Sequence, residues 1–466
     1  MQSQCDIRTP AVQLSSNSVT CNSVTCNSVA TNSVSSNSVG TNSVSSISVS
    51  SNSVNFVLPP SNYKNLDQGF RPAYAATPSE SITLSPSLHH YLNLLKDLID
   101  PRGEENWDKA KKITNPYEYV HSPVSHNQPP VCALKPLSRS FYKMIELSYV
   151  LYPTGLSFSG TPMKTFHLAE GPGGFIEAVT FLRKNPADLY YGMTLLEPHN
   201  HNVPGWHKSK QFLEQHPNVT IESGSDGSGD LTHAENLQHC YKKYGGTMDL
   251  VTADGGFDYS PNYTSQEPVS THLIFSQIAF ALALQKKKGH FILKVFDTFT
   301  QITLDLLFLL TNLYEQVQVV KPQSSRAANS EKYVVCKHFK LEADQAGPLV
   351  KEMHAIMETL SPTCFLQTLW AFPLPYMFLS QMEQGNALMG QGQVDNILLT
   401  LTLLDGHAYD KHELSKTQNV LRSVNFCQNY KLPCHPSYGT QNIFRAQTVS
   451  TFSAVKADAQ RTWRAT

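Results

Sequence analysis

Between residues 164 and 340 the chain alternates short apolar runs with longer stretches whose apolar residues recur at helical spacing. The short runs, over 165–169, 189–195, 219–222, 249–253, 290–296, 317–320 and 332–337, have the length and composition of strands. The stretches over 175–183, 271–285 and 302–313 predict helices between them. This alternation predicts a mostly parallel sheet with helices on both faces. The last two runs are joined by a loop without a helix, which predicts an antiparallel hairpin at one edge. The expected architecture is α/β and Rossmann-like, a seven-stranded, mostly parallel sheet with an antiparallel edge hairpin and helical flanks.

The flanks carry their own patterns. Leu92, Leu94, Leu95, Leu98 and Ile99 mark one face of a helical segment within 86–120. Phe141, Met144, Ile145 and Leu147 mark a second within 138–149, with Lys143 set off the apolar stripe. The segment 56–85, with Pro59-Pro60 and scattered serines, reads as loop. Helical patterning resumes from 341 to about 404, and the chain from 434 onward is polar.

Residues 15–54 repeat the pentapeptide x-x-Asn-Ser-Val, broken once where Ile47 replaces asparagine. A fixed period can stack as a β-solenoid. One valine per repeat gives too thin a core, and the Ser/Asn-rich composition predicts a disordered arm. The expected organisation is a low-complexity repeat (1–60), an N-terminal helical flank (61–125), the α/β domain (126–340), a C-terminal helical region (341–433) and a polar tail (434–466).

Composition narrows the function classes. The 466 residues carry a formal net charge of −1, so no global field attracts nucleic acid, and any such contact needs a local basic face. The nine cysteines include no Cys-x-x-Cys pair. Cys427 and Cys434-His435 lack a second ligand pair, so free thiols in a reducing compartment are expected and no metal site is. No basic stretch followed by an apolar run opens the chain, and its longest apolar runs, 304–310 and 273–284, fall short of a bilayer. A soluble, intracellular protein with no membrane association is expected.

The run at 165–169 leads into Glu170-Gly171-Pro172-Gly173-Gly174-Phe175 and then a helix. Glycines there let the backbone approach a ligand in the crevice at the carboxyl ends of the strands. The dinucleotide fingerprint fails because Ile176 occupies its third glycine position, which disfavours a dehydrogenase, and no Gly-Lys-Ser/Thr follows as a phosphate loop requires. A nucleoside-like ligand without a pyrophosphate fits, as S-adenosylmethionine does. Around this loop stand two lysines and two acids, Lys143, Asp254, Lys294 and Glu331. Such a set suits removal of a proton from a weak acid such as a ribose hydroxyl. A free lysine has a pKa near 10.4 and cannot act as a base at neutral pH unless a nearby cation or burial lowers it.

Four ordered blocks carry a family resemblance over roughly residues 107–340. His167 to Phe175 resembles motif I of the FtsJ-like RNA 2′-O-methyltransferases, and Val251 to Asp258 their aspartate segment. Gly289 to Phe296 resembles their lysine strand, and Ser324 to Cys336 their closing hairpin. Gly229-Asp230-Leu231 and Thr114 to Glu118 resemble the adrift-type branch, the cap-specific mRNA methyltransferases of animals and large DNA viruses.

The resemblance implies a SAM-dependent methyltransferase fold with S-adenosylmethionine as cofactor. It implies methyl transfer to a ribose 2′-oxygen of RNA, near the 5′ cap of mRNA. Lys294 is then the base, Lys143 the neighbouring charge that orients the hydroxyl, Asp254 the group that orients the lysines, and Glu331 the partner of Lys143. Gly171, Pro172, Gly173, Gly174 and Phe175 would bind the donor, with Gly171, Gly173, Gly174 and Phe175 contacting its methionine end and shaping the loop. Asp230 would face the adenine, with Asp226 as rival, and Glu197 the ribose.

For RNA contact, Arg326 and Asn329 are the expected residues. Lys135, Arg139 and Lys164 would extend the face, and Lys286-Lys287-Lys288 reads as a solvated helix end. Tyr117, Tyr142 and Trp206 could stack on a cap base. The alternatives are ribosomal or transfer RNA as substrate, or a catalytically silent RNA-binding subunit.

Overall fold

The computed structural model describes residues 54–61, 69–79, 81–156, 160–197, 200, 203, 205–256, 266–406 and 409–439. The Asn-Ser-Val repeat up to residue 53, the motif residues Phe257 and Asp258, and residues 440–466 lie outside them. Strands β3 (Lys164–Leu168), β4 (Leu189–Met193), β5 (Val219–Glu222), β6 (Met248–Ala253) and β7 (Gln285–Val295) are parallel neighbours in the order β7-β6-β3-β4-β5. Strands β8 (Tyr314–Lys321) and β9 (Lys332–Phe339) form the expected antiparallel hairpin, with β9 inserted beside β7.

The sheet has eight strands rather than seven. β1 (Val54–Leu58) pairs antiparallel with β8, Phe56 opposite Val319, and so forms the outer edge. Sequence reading leaves this segment as arm and loop because its apolar pattern is only five residues long, directly after the repeat. Pairing with a strand more than 250 residues away in sequence, Phe56 against Val319, is what gives Phe56 and Leu58 a face to bury. A second departure is a two-stranded sheet of β2 (Phe70–Ala75) and β10 (Phe365–Trp370), formed from segments read as loop and helix.

Period-two alternation along the strands divides the interior into two layers. Phe166, Leu168, Val251, Phe291, Leu293, Val334 and Cys336 face helices α6 (Ala234–Tyr244), α7 (Gln266–Leu284) and α8 (Gln301–Leu313). Leu250, Ile292, Tyr333 and Val335 face helices α3 (Ser140–Leu151), α4 (Gly174–Arg183) and α5 (Lys210–Gln215). The flanks share these layers. Phe378 and Met382 of α10 (Tyr376–Leu404) join the first, and Phe426 and Cys427 of α11 (Tyr409–Asn429) join the second. N-terminal helices α1 (Pro86–Asp97) and α2 (Glu104–Thr114) pack with α10 through Leu92, Trp107 and Ile397, while α9 (Ala343–Thr359) lies against α6 and α7.

Two details position the site. The strand order reverses between β3 and β6, which opens a crevice at their carboxyl ends, where the glycine loop and Asp254 lie. At the other end of α4, buried Asp188 accepts bonds from Arg183 Nε (2.7 Å) and Nη2 (2.9 Å), the Tyr190 hydroxyl (2.9 Å) and the Met163 amide (2.8 Å). This carboxylate fastens the helix behind the glycine loop to the starts of β3 and β4.

Candidate functional site

The glycine loop is held from within. Glu170 is buried, and its Oε1 accepts the amides of Phe175 (2.7 Å) and Ile176 (2.9 Å), capping the first turn of α4. Burial pushes its carboxyl well above the usual range, and the charge of Asp254 adds to this. Gly173 has φ +108°, which disfavours any residue with a Cβ. A Cβ on Gly171 would lie 2.7 Å from the Gly205 carbonyl oxygen, and one on Gly174 would strike the hydroxyls of Ser138 and Ser140. Gly171 is partly buried and Gly173 and Gly174 are buried, so the turn is closely packed glycine backbone at the carboxyl end of β3. Phe175 departs from the expected donor-contacting role: its side chain is fully buried against Tyr333 and its amide is taken by Glu170.

The four predicted residues converge. Lys143 Nζ lies 2.8 Å from both Glu331 carboxylate oxygens. Lys294 Nζ lies 3.3 Å from Asp254 Oδ1 and donates to the Asp254 carbonyl at 2.6 Å. Burial works to raise the Glu331 carboxyl, but the charges of Lys143, Lys294 and Lys321 outweigh it and hold it far below its usual range. The helix wheel placed Lys143 off the apolar stripe. In the structure α3 is buried on nearly all sides from Phe141 to Ser148, and Lys143 is 7% exposed, pointing inward to its carboxylate.

Tyr333 joins the two pairs, and sequence reading gave it no role. It lies opposite Lys294 in the β7–β9 register, donates its hydroxyl to Asp254 Oδ1 at 2.6 Å, and lies under Lys143 Nζ at 5.8 Å from the ring centre. Burial raises its phenol well above the ordinary value, and the Asp254 and Glu331 charges raise it further, so it remains a donor. The available signal was parity: Glu331 and Tyr333 are two apart on an extended segment and share a face.

Three more groups support this cluster. Ser325 Oγ donates to Glu331 Oε1 at 2.7 Å. Lys321 Nζ donates to the carbonyls of Asn329 (2.5 Å) and Glu331 (2.7 Å), and burial pushes it down to about 7 against the pull of Glu331. Glu146, one turn beyond Lys143, accepts the amides of Gln323 (2.7 Å) and Ser324 (2.8 Å) and the Ser324 hydroxyl. Burial raises its carboxyl to about 7 despite those bonds.

Around the donor crevice, Asp230 uses Oδ1 to accept the amide and hydroxyl of Thr232, both at 2.8 Å, and stays partly exposed. Asp226 is committed to its own loop, accepting from Ser228, Asn236 and His233 (2.6 Å). Asp230 is thus the more available of the two. Glu197 is exposed and accepts Asn200 Nδ2 at 2.7 Å. Trp206 packs on Gly173 and Gly192, beneath the loop, with its indole N–H buried. Tyr142 is fully buried and so presents no face for a base.

On the expected RNA face, Arg326 is partly buried and donates to Glu118 (3.1 and 3.3 Å), while Asn329 is exposed. Arg139 donates to the Ser324 carbonyl at 3.1 Å. Lys286, Lys287 and Lys288 open β7 instead of ending a helix, and pair with Asp249, Glu342 and Glu315. Among the described residues no group of His, Cys, Asp and Glu is arranged to hold a metal, and no helix is long and apolar enough to cross a membrane.

Residues 136–339 match the family described as FtsJ-like methyltransferase. The chain is 32% identical over 278 residues to the "Cap-specific mRNA (nucleoside-2'-O-)-methyltransferase 1" of Mus musculus, covering 55% of this chain and 31% of that protein. It is 28% identical over 269 residues to the protein of the same name from Drosophila melanogaster, covering 56% and 32%. The chain therefore spans about a third of the length of these relatives. Among solved structures, a putative ribosomal RNA methyltransferase of Plasmodium falciparum aligns with TM-score 0.30 and 20% identity, covering 43% of this chain and 97% of that one. With glycine loop, aspartate, lysine strand and closing hairpin in order around one crevice, residues 136–339 form a domain of the FtsJ-like methyltransferase family.

Proposed function

We propose that this protein transfers a methyl group from S-adenosylmethionine to a ribose 2′-hydroxyl of RNA, near the capped 5′ end of mRNA. The observation that carries the reading is the linked cluster of Lys143–Glu331 and Lys294–Asp254 joined through Tyr333 beside the glycine loop. The backbone turn from Gly171 to Gly174 fits the methionine end of the donor, and the partly exposed Asp230 carboxylate, whose Oδ2 lies 3.7 Å from His233 Nε2, fits an adenine amine. When bound, the donor supplies an electrophilic methyl on a sulfonium.

The residues of the chain do the rest. Lys294 takes the proton of the 2′-hydroxyl, and Asp254 fixes the lysine through its carboxylate and carbonyl. Tyr333 fixes Asp254. Lys143 orients the hydroxyl oxygen, its charge balanced by Glu331. Holding oxygen and methyl in line supplies much of the rate by proximity. The likeness to proteins named as cap-specific favours a capped mRNA substrate.

Incubation with donor carrying a labelled methyl, with capped and uncapped transcripts, tests the reading. Label in the ribose of a nucleotide adjoining the cap supports it. Label in uncapped ribosomal or transfer RNA alone moves the substrate to that class. Binding of RNA without label would make the protein a silent RNA-binding subunit.

A further inference from the structure

We propose that the cleft between α3, α4 and α5 carries the single-stranded RNA beyond the reacting ribose, with its phosphates seated on Lys135, Lys184 and Lys208. This rests on the RNA methyltransferase reading above and gives that substrate its path. The cleft has a volume of about 540 Å³, with Phe141, Phe181 and Phe212 among its lining residues. All three lysines line it as well.

Charge decides its occupant. None of the three lysines makes an ion pair among the described residues, and Lys184 Nζ lies over the Phe181 ring at 5.4 Å. The surface run Lys286–Lys288, by contrast, is neutralised lysine by lysine. Glu177 is the one carboxylate lining the cleft, and it is occupied with the Leu137 amide at 2.7 Å. The lysine rim matches the phosphates of a single strand, and Phe181, which unlike Phe141 and Phe212 is only half-buried, offers an apolar face to a base. Lys184 also holds the left-handed conformation, φ 49°, at the end of α4, a position where glycine is the usual residue.

The cleft adjoins the donor loop through Leu137, one of its lining residues. Leu137 packs on Gly173 of the donor loop, 3.3 Å from where a Cβ would stand. Two residues on, Arg139 donates to Ser324 in the loop that leads to Glu331. Residues 135–139 therefore run from the catalytic cluster to the lysine rim.

The test compares two RNAs with the same capped 5′ end, one too short to reach the cleft and one long. Replacing Lys135, Lys184 and Lys208 together by Gln should lower the long-to-short ratio of kcat/KM about tenfold, from three exposed contacts of modest strength. The log–log salt dependence of long-RNA binding should become shallower by about 2, at ~0.7 per phosphate on a single strand. The matched variant Lys286→Gln, Lys287→Gln, Lys288→Gln removes the same charge elsewhere and should leave the ratio unchanged. An unchanged ratio in the cleft variant, or an equal fall in both, overturns the proposal.

Wild-type protein crosslinked to long RNA carrying photoreactive uridines gives a second measurement that needs no variant. Adducts on the peptides holding Phe181 or Phe212 support the path, and adducts confined to other regions overturn it. If wild-type protein methylates neither RNA, the function reading fails, while the crosslinks still report on the cleft.

Discussion

The hydroxyl of Tyr333 donates to Asp254 Oδ1 at 2.6 Å, across the sheet from the strand that carries Lys294. Its burial makes it a permanent donor, so Asp254 is held by a group that does not titrate in the working range. Tyr333→Phe keeps the ring and removes the donor. A hydrogen bond to a charged group contributes about 1.5–3 kcal/mol, so kcat should fall about 10–100-fold. Steady-state methyl transfer checks this, and an unchanged kcat would leave Tyr333 with packing alone.

Lys143 and Glu331 should be coupled. Lys143→Met leaves the Glu331 carboxylate buried without its main partner, at a cost of about 3–5 kcal/mol. The double variant Lys143→Met/Glu331→Gln should recover part of that stability and none of the activity. Denaturant titration and methyl transfer on wild type, Lys143→Met, Glu331→Gln and the double variant separate the two effects. Additive stabilities would show that the pair is not coupled.

Asp188→Ala should destabilise the fold by about 3–5 kcal/mol, because it strands the buried Arg183 guanidinium and removes bonds to Tyr190 and Met163. The bonds from Arg183, Met163 and Tyr190 outweigh burial and hold the Asp188 carboxyl below its ordinary value. Its contribution is therefore present above that value and is lost as pH falls through the lowered one. Thermal melts at neutral and acid pH should show the wild-type advantage over Asp188→Ala shrinking toward acid.

Lys321 gives the opposite sign. Burial lowers it to about 7, whereas the unfolded lysine keeps its proton to its ordinary 10.5. Between those values the unfolded state binds the extra proton, so this residue makes folding more favourable as pH rises, by at most about 1.4 kcal/mol per pH unit. Denaturant unfolding of wild type and Lys321→Met at pH steps across that window should give a difference that moves in favour of wild type as pH rises. A constant difference would place the Lys321 ammonium in water.

The parallel core was legible because its strands are buried on both faces and read as continuous apolar runs, as in Phe291-Ile292-Leu293. Glycine 173 was legible for a related reason: its backbone conformation excludes other residues, so the requirement is written in the residue type. Lys143, Asp254, Lys294 and Glu331 were found as an ordered set, and they meet. The strand β1 was not legible. Its five residues take their partners from distant segments, Val317–Lys321 in the sheet and Gly385 of α10 against Phe56.

The sequence by itself determined the strands of the parallel core and its closing hairpin, the glycine loop and the identities of the charged residues, because periodicity and backbone restriction act over short spans. The tertiary structure decided that Lys143 points inward, that Tyr333 ties the two ion pairs together, and that Lys286–Lys288 are neutralised while Lys135, Lys184 and Lys208 have no ion-pair partner among the described residues. Those outcomes depend on which distant carboxylate or hydroxyl lies within about 3–4 Å in a medium of low dielectric, and chain position does not encode that distance.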